Sequence, residues 1–251
     1  MDRQTWDRRR VSFGAVAQLY ERTRPGYPAE AVAWMLSGVR PGGTVLDLGA
    51  GTGKLTRALL ADGFQVVAVE PSAPMREALS AAVRDARVLE GSAEEIPLPD
   101  GSVDGIVVGQ AYHWFDPELA NPEMARVLRT GGTLGLVWNV LDERTGWVAL
   151  LGQELDALDR NSSLSGRSVA DELGAAFRPA EQADFRHVQR LTVTDLLDLV
   201  RSRSYVATLE TPERDTLLRR VETLVLRNAP VDGHQVLALP YVASTYRATR
   251  R

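Results

Sequence analysis

The chain has 251 residues, 44% hydrophobic and 25% charged, proportions of a globular protein long enough to bury a sizeable core. A formal net charge of −4 gives no global electrostatic basis for nucleic-acid binding. With no cysteine there is no disulfide, thiolate nucleophile or Cys-ligated metal site, in keeping with a reducing compartment. Lys54 is the only lysine, a skew toward arginine that reads as compositional bias. The charged start, Met1 to Arg10, lacks an apolar signal region, and no long apolar run follows. A cytoplasmic protein without membrane contact is expected.

Ser12 to Tyr20 reads as helical, and Arg24-Pro25-Gly26-Tyr27-Pro28 punctuates the chain. Pro28 suits the first turn of a helix with Val32, Ala33 and Leu36 on one side, ended by Pro41-Gly42-Gly43. Thr44 to Leu48 is the first core strand. Leu55, Ala58 and Leu59 mark a short helix, and Gln65 to Glu70 a second strand. Met75, Ala78, Leu79, Ala82 and Val83 give a helical apolar face. Strands follow at Arg87 to Glu90 and Val103 to Gln110. A helix lined by Met124, Val127 and Leu128 stops at Gly131-Gly132, before a fifth strand from Thr133 to Trp138. Repeated βα units with near-continuous apolar strands predict a buried parallel sheet covered on both faces.

After Asn139 the pattern changes. Trp147, Leu150, Leu151, Leu155 and Leu158 suit a helix, followed by a Ser-rich turn around 162–168. Residues 185–193 suit a strand. Thr194 is the expected cap of a helix carrying Leu196, Leu197 and Val200, and Thr211-Pro212 opens another. A last strand falls within 235–247. No stretch reads as a linker, so 1–251 is taken as one domain.

The segment Val45 to Gly53 carries the chemistry. An apolar strand runs into Asp47-Leu48-Gly49-Ala50-Gly51-Thr52-Gly53, a turn whose glycines admit positive φ and close ligand approach. The spacing differs from the Gly-x-Gly-x-x-Gly of dinucleotide sites. The acid before the first glycine disfavours a pyrophosphate and suits a cation. A second acid, Glu70, ends the next strand at the separation where such folds hydrogen-bond a ribose.

This turn resembles motif I of the class I S-adenosylmethionine-dependent methyltransferases. Asp104 to Phe115 resembles their strand-four motif, and Arg126-Val127-Leu128-Arg129-Thr130-Gly131-Gly132 their following signature, with Thr130 where proline is usual. Ala15-x-x-x-x-Tyr20, Arg24-Pro25-x-Tyr27-Pro28 and Arg203-Ser204-Tyr205 are similar to the branch around trans-aconitate methyltransferases (methyltransferase type 11). The resemblance covers roughly 12–138, with a looser match beyond.

It implies an α/β fold, a Rossmann-like doubly wound sheet of about seven strands, mostly parallel with the last antiparallel. The core would be 12–138, with helical substrate-lid insertions at 140–185 and 194–230. It implies S-adenosyl-L-methionine as cofactor, S-adenosyl-L-homocysteine as product, and methyl transfer to a small-molecule acceptor, most simply to an oxygen. Its cofactor contacts would be Tyr20, Arg24, Asp47, Gly49, Ala50, Gly51, Thr52, Gly53, Glu70, Met75, Ser92, Ala93, Glu94 and Gln110. Ser92 stands where an acid is usual. Substrate would meet Tyr27, Tyr112, His113, Trp114, Trp138, Arg203 and Tyr205, with His113 a candidate base or a packing residue among its aromatic neighbours. No metal is expected, and a monomer or homodimer without nucleic-acid partners suffices. Gln110-Ala111-Tyr112-His113 lacks the Asp/Asn-Pro-Pro-aromatic pattern of nucleic-acid amino-methyltransferases. Two alternatives stand beside this: an NAD-dependent oxidoreductase, and a protein that binds the cofactor without transferring methyl.

Overall fold

The computed structural model describes residues 17–156 and 173–251. Its helices are α1 (Ala17–Thr23), α2 (Ala29–Met35), α3 (Lys54–Ala61), α4 (Ala73–Ala82), α5 (Pro117–Val127), α6 (Gly146–Asp156), α7 (Val193–Arg201), α8 (Ser204–Ala207) and α9 (Thr211–Asn228). Its strands are β1 (Thr44–Leu48), β2 (Gln65–Val69), β3 (Arg87–Leu89), β4 (Val103–Gly109), β5 (Leu128–Leu141), β6 (Glu181–Thr192) and β7 (Val236–Thr249). The described residues fall into two compact units. Among the described residues, a sheet unit holds 26–139, 173–185 and 243–251, and a helical unit holds 17–25, 140–156 and 186–242. Of the expected insertion at 140–185, the Ser-rich turn and Leu158 lie outside the described residues, as do Ser12 to Val16 of the expected first helix.

The seven strands lie in the order β3-β2-β1-β4-β5-β7-β6. The sheet is mixed, parallel through β5 and antiparallel in its last strands. From β1 the chain steps outward to β2 and β3, then returns to β4 on the other side. That reversal creates a switch point at the carboxyl ends of β1 and β4, where open α/β sheets bind ligands.

Alternate side chains of each strand go to opposite faces. Val45, Val107 and Val137 pack on Val32 and Met35 of α2 and on Leu55 and Leu59 of α3. Leu46, Ile106, Val108 and Leu136 pack on Met124 and Val127 of α5. Burying each such side chain contributes about 1.5–3 kcal/mol, which is why these strands read as continuous apolar runs. The helical unit has its own core, in which Trp147, Leu151 and Leu155 of α6, Leu196 of α7 and Leu217 and Val221 of α9 meet Leu239 and Tyr241 of β7. No helix among the described residues is long and apolar enough to cross a membrane.

Two local expectations change. β5 begins at Leu128, not Thr133: Leu128 pairs with Val103 and Thr133 with Gly105, so the residues between bulge from the ladder. Gly131, at φ 77°, turns this bulge, and the amide of Gly131 and carbonyl of Gly132 pair with Arg250 instead. The helix α7 is capped by Thr192, two residues before Thr194. The Thr192 side chain accepts from Asp195 N, and the Asp195 carboxylate accepts from Thr192 N, a reciprocal capping box.

Candidate functional site

The turn after β1 is fixed from beneath. Gly49 N and Ala50 N both donate to Val69 O (2.9 and 3.1 Å), which ties the turn to the end of β2. Gly49, Gly51 and Gly53 all take positive φ, at 71°, 57° and 88°. At Gly53 a Cβ would lie 2.3 Å from the Leu79 side chain, so close packing against α4 excludes any larger residue. At Gly51 an added Cβ meets nothing within 4 Å. One side of the turn is therefore packed and the middle is open, the form of a cradle. Ala50 and Thr52 are buried beside it.

Both acids sit at this turn and both are buried. Asp47 Oδ2 accepts a 2.6 Å bond from the Thr56 hydroxyl on α3. Burial pushes the Asp47 carboxyl up to about 7; the Thr56 bond opposes that rise and the Glu70 charge adds to it. Glu70 spends one lone pair of each oxygen on backbone: Oε2 accepts from Gly51 N and Oε1 from Ser72 N, both at 2.9 Å. Arg76 holds the same corner, donating to the carbonyls of Glu70 (2.9 Å) and Pro71 (2.7 Å) while pairing with Glu90. Met75, on the same helix α4, is buried.

The neighbouring strand ends supply a polar and aromatic group. Gln110 sits at φ 56°, an uncommon conformation for a residue with a Cβ, and its Nε2 donates to Asn139 O at 3.1 Å. Asn139 Nδ2 donates to Gly26 O (2.9 Å). The Tyr27 hydroxyl lies against Gly109, where a Cβ would come within 2.6 Å of it. Tyr112 is buried, donates to Asn121 Oδ1 (3.0 Å), and packs edge-on to Phe115 and Trp138, so its ring belongs to the core. Trp138 is buried too, and its Nε1 donates to Nδ1 of the exposed His113 at 3.3 Å. An indole can only donate, so Nδ1 is the unprotonated nitrogen and the neutral ring carries its proton on Nε2. Trp114 is half-buried beside His113, ring centroids 5.1 Å apart. Ala93 is buried in the core, Ser92 is half-buried, and the Glu94 carboxylate accepts from Asp116 N (3.0 Å) at the start of α5.

The other expected residues belong to the helical unit. Tyr20 lies in α1. Arg24 donates from Nε and Nη2 to the hydroxyl and carbonyl of Ser202 (3.1 and 3.2 Å). Arg203 is half-buried, and Tyr205 is buried on α8.

The sheet-unit residues fit the cofactor the resemblance implies. Two carboxylates face a turn whose Gly49, Ala50 and Gly51 amides are already taken by the protein, so the turn favours a cation over a diphosphate. Among the described residues no cluster of His, Asp and Glu could hold a metal. Three contributors escaped sequence reading: Thr56, Arg76 and Asn139. Only Thr56 carries a usable signal, a hydroxyl three residues past the last glycine of the turn.

The chain is similar to known methyltransferases. The methyltransferase-domain family profile matches residues 46–136. An uncharacterized methyltransferase of Mycobacterium tuberculosis is 46% identical over 241 residues, 95% of this chain and 96% of that protein. Another, from Schizosaccharomyces pombe, is 33% identical over 211 residues, 82% of this chain and 84% of its own length. Among solved structures, a candidate type II methyltransferase from Anaeromyxobacter dehalogenans matches with a TM-score of 0.59 and 26% identity, covering 90% of this chain and 97% of that one.

Proposed function

Because this chain belongs to the class I S-adenosylmethionine-dependent methyltransferases, we propose that it methylates an oxygen of a small molecule, with a carboxylate favoured over a hydroxyl. The bound donor supplies an electrophilic methyl group on a sulfonium. In this reading Gly49, Ala50, Gly51, Thr52 and Gly53 cradle it, Asp47 balances its positive charge, and Glu70 accepts its ribose hydroxyls. Met75, Ala93 and Gln110 border the remainder. The acceptor oxygen forms a bond to the methyl carbon as the carbon–sulfur bond breaks, and that electron pair stays on sulfur, giving a neutral thioether. Such an in-line displacement depends chiefly on positioning and exclusion of water. The protein would act in the cytoplasm as a monomer or homodimer.

The observation that carries the choice of acceptor is the Trp138–His113 bond. With Nδ1 filled and the proton on Nε2, His113 is set to donate a hydrogen bond to an acceptor's oxygen, not to remove a proton from it. A carboxylate needs no base, whereas a hydroxyl does. Transfer of a radiolabelled methyl group to a panel of carboxylic acids tests this directly. Label that alkali releases as methanol identifies an ester and supports the reading; label stable to alkali rejects it. His113→Ala should slow turnover while S-adenosylhomocysteine affinity is kept, and undiminished turnover would remove His113 from the site.

A further inference from the structure

Gln110 follows β4 directly and Asn139 lies near the end of β5, and each does something that a strand end does not require. Gln110 leaves β4 at φ 56°, a conformation that is costly for a residue with a Cβ and persists only where the surroundings enforce it. Two bonds enforce it. Gln110 N donates to Val137 O at 2.9 Å, and Gln110 Nε2 donates to Asn139 O at 3.1 Å. The kink delivers the next residue, Ala111, to the glycine turn: a Cβ at Gly49 would lie 2.9 Å from the Ala111 methyl. The end of β4 and the turn after β1 are thus fitted to each other at the switch point of the sheet.

Asn139 also reaches the other way. Its Nδ2 donates to Gly26 O at 2.9 Å. One residue on, the Tyr27 hydroxyl fills a notch on β4: a Cβ at Gly109 would come within 2.6 Å of that oxygen and 3.0 Å of Cζ. Tyr27 is half-buried against the core of α2 and α3, and Pro28 O accepts from Ala31 N and Val32 N to open α2. Gly26 to Pro28 therefore crosses the carboxyl ends of β4 and β5, held by an asparagine amide and by a phenol seated on a glycine. One asparagine serves both sides, the strained residue through its carbonyl and the crossing segment through its side chain. The buried apolar runs of β4 and β5 end at Val108 and Trp138, so these ties lie beyond the packed core, at the edge where open α/β sheets bind ligands.

We propose that Asn139 is a positioning residue for the methyl-donor pocket: it latches Gly26–Pro28 across the carboxyl edge of the sheet, with Tyr27 on Gly109 as the second anchor and Gln110 as the strained residue it steadies. A segment held in place before the ligand arrives needs no ordering on binding. With the latch open, binding must order it first, and affinity falls. The inference rests on the reading of the glycine turn as the seat of S-adenosylmethionine.

Asn139→Asp keeps the shape of the side chain and the carbonyl that Gln110 uses, but it cannot donate to Gly26 O and sets a carboxylate against it. S-adenosylhomocysteine affinity, measured by calorimetry, should fall about fivefold or more, with Asn139→Gln, which keeps the donor, between it and the wild type. Gly109→Ala attacks the latch from the other side by displacing the Tyr27 hydroxyl, and should weaken binding to a similar extent. Hydrogen exchange over Gly26–Glu30 should quicken in ligand-free Asn139→Asp and slow again with S-adenosylhomocysteine bound. The ligand-free melting temperature of Asn139→Asp should stay close to that of the wild type. Wild-type affinity in either Asn139→Asp or Gly109→Ala overturns the proposal, and a lowered melting temperature at wild-type affinity would assign the tie to structure alone. Unchanged exchange over Gly26–Glu30 overturns it too. Glu70→Gln, measured alongside, separates the two readings: weakened binding there with wild-type binding in Asn139→Asp removes the latch and keeps the cofactor seat, whereas wild-type binding in both removes both.

Discussion

Asp47→Asn tests the electrostatics of the glycine turn most directly. Burial raises the Asp47 carboxyl from 3.8 to about 7. The sign follows from proton counts. Between those two values the folded protein holds a proton that the unfolded chain has released, so stability falls as pH rises through this window and levels off above about 7. The gap from 3.8 to about 7 corresponds to about 4 kcal/mol, present as a cost at pH 8 and shrinking to under about 2 kcal/mol at pH 5. Asparagine has no charge to desolvate and its oxygen can still accept from Thr56. The variant should therefore be more stable than the wild type when ligand-free, by several degrees in melting temperature at pH 8 and by much less at pH 5. The same change should weaken S-adenosylmethionine binding, since the ionised carboxylate answers the sulfonium. Thermal melts of both proteins from pH 5 to 8, with calorimetry at each pH, give both quantities. A stability difference independent of pH, or a variant less stable at pH 8, would refute the assignment of a buried, desolvated acid.

Glu70→Gln keeps the shape of the side chain and removes its charge, so the charge-assisted bonds it makes, each about 1.5–3 kcal/mol, are weakened. S-adenosylhomocysteine affinity measured by calorimetry should fall about 10- to 100-fold, and an unchanged dissociation constant would count against the ribose role. Thr192→Ala deletes the hydroxyl half of the α7 capping box and should cost about 0.5–2 kcal/mol in denaturant unfolding, while S-adenosylhomocysteine affinity stays at the wild-type value.

The parts of this protein legible in its sequence are those where one local rule dominates. Strands β1, β2 and β4 announce themselves because both faces are buried, which makes apolar residues dominate each run. The glycine turn is legible because positive φ at Gly49, Gly51 and Gly53 and the side-chain approach at Gly53 leave little choice of residue. Where two rules compete, reading fails. Gly131-Gly132 looks like a helix stop, yet it forms a bulge whose partners, the backbone groups of Arg250, are remote in sequence. Thr192 and Thr194 are equally plausible caps by residue type, and the partner Asp195, three residues after Thr192, decides between them. The links Gln110–Asn139–Gly26 and Trp138–His113 join separate strand ends, so no local pattern could have reported them.

The two carboxylates also explain how a glycine turn so like a dinucleotide loop selects a different guest. In a pyrophosphate site, turn amides point at the ligand and carry its charge. In this turn the amides of Gly49 and Ala50 go to Val69 O, and the Gly51 amide goes to Glu70. Three donors that could have met phosphate oxygens are thus consumed by the protein itself. Beside Gly51 lies the Glu70 carboxylate, backed by Asp47, whose ionisation is made costly by burial and recovered when a cation arrives. A diphosphate would find these three amides spent and would confront two acids. A sulfonium with a ribose finds a counter-charge for one and acceptors for the other, so the turn's specificity lies less in its glycines than in where their amides are already spent.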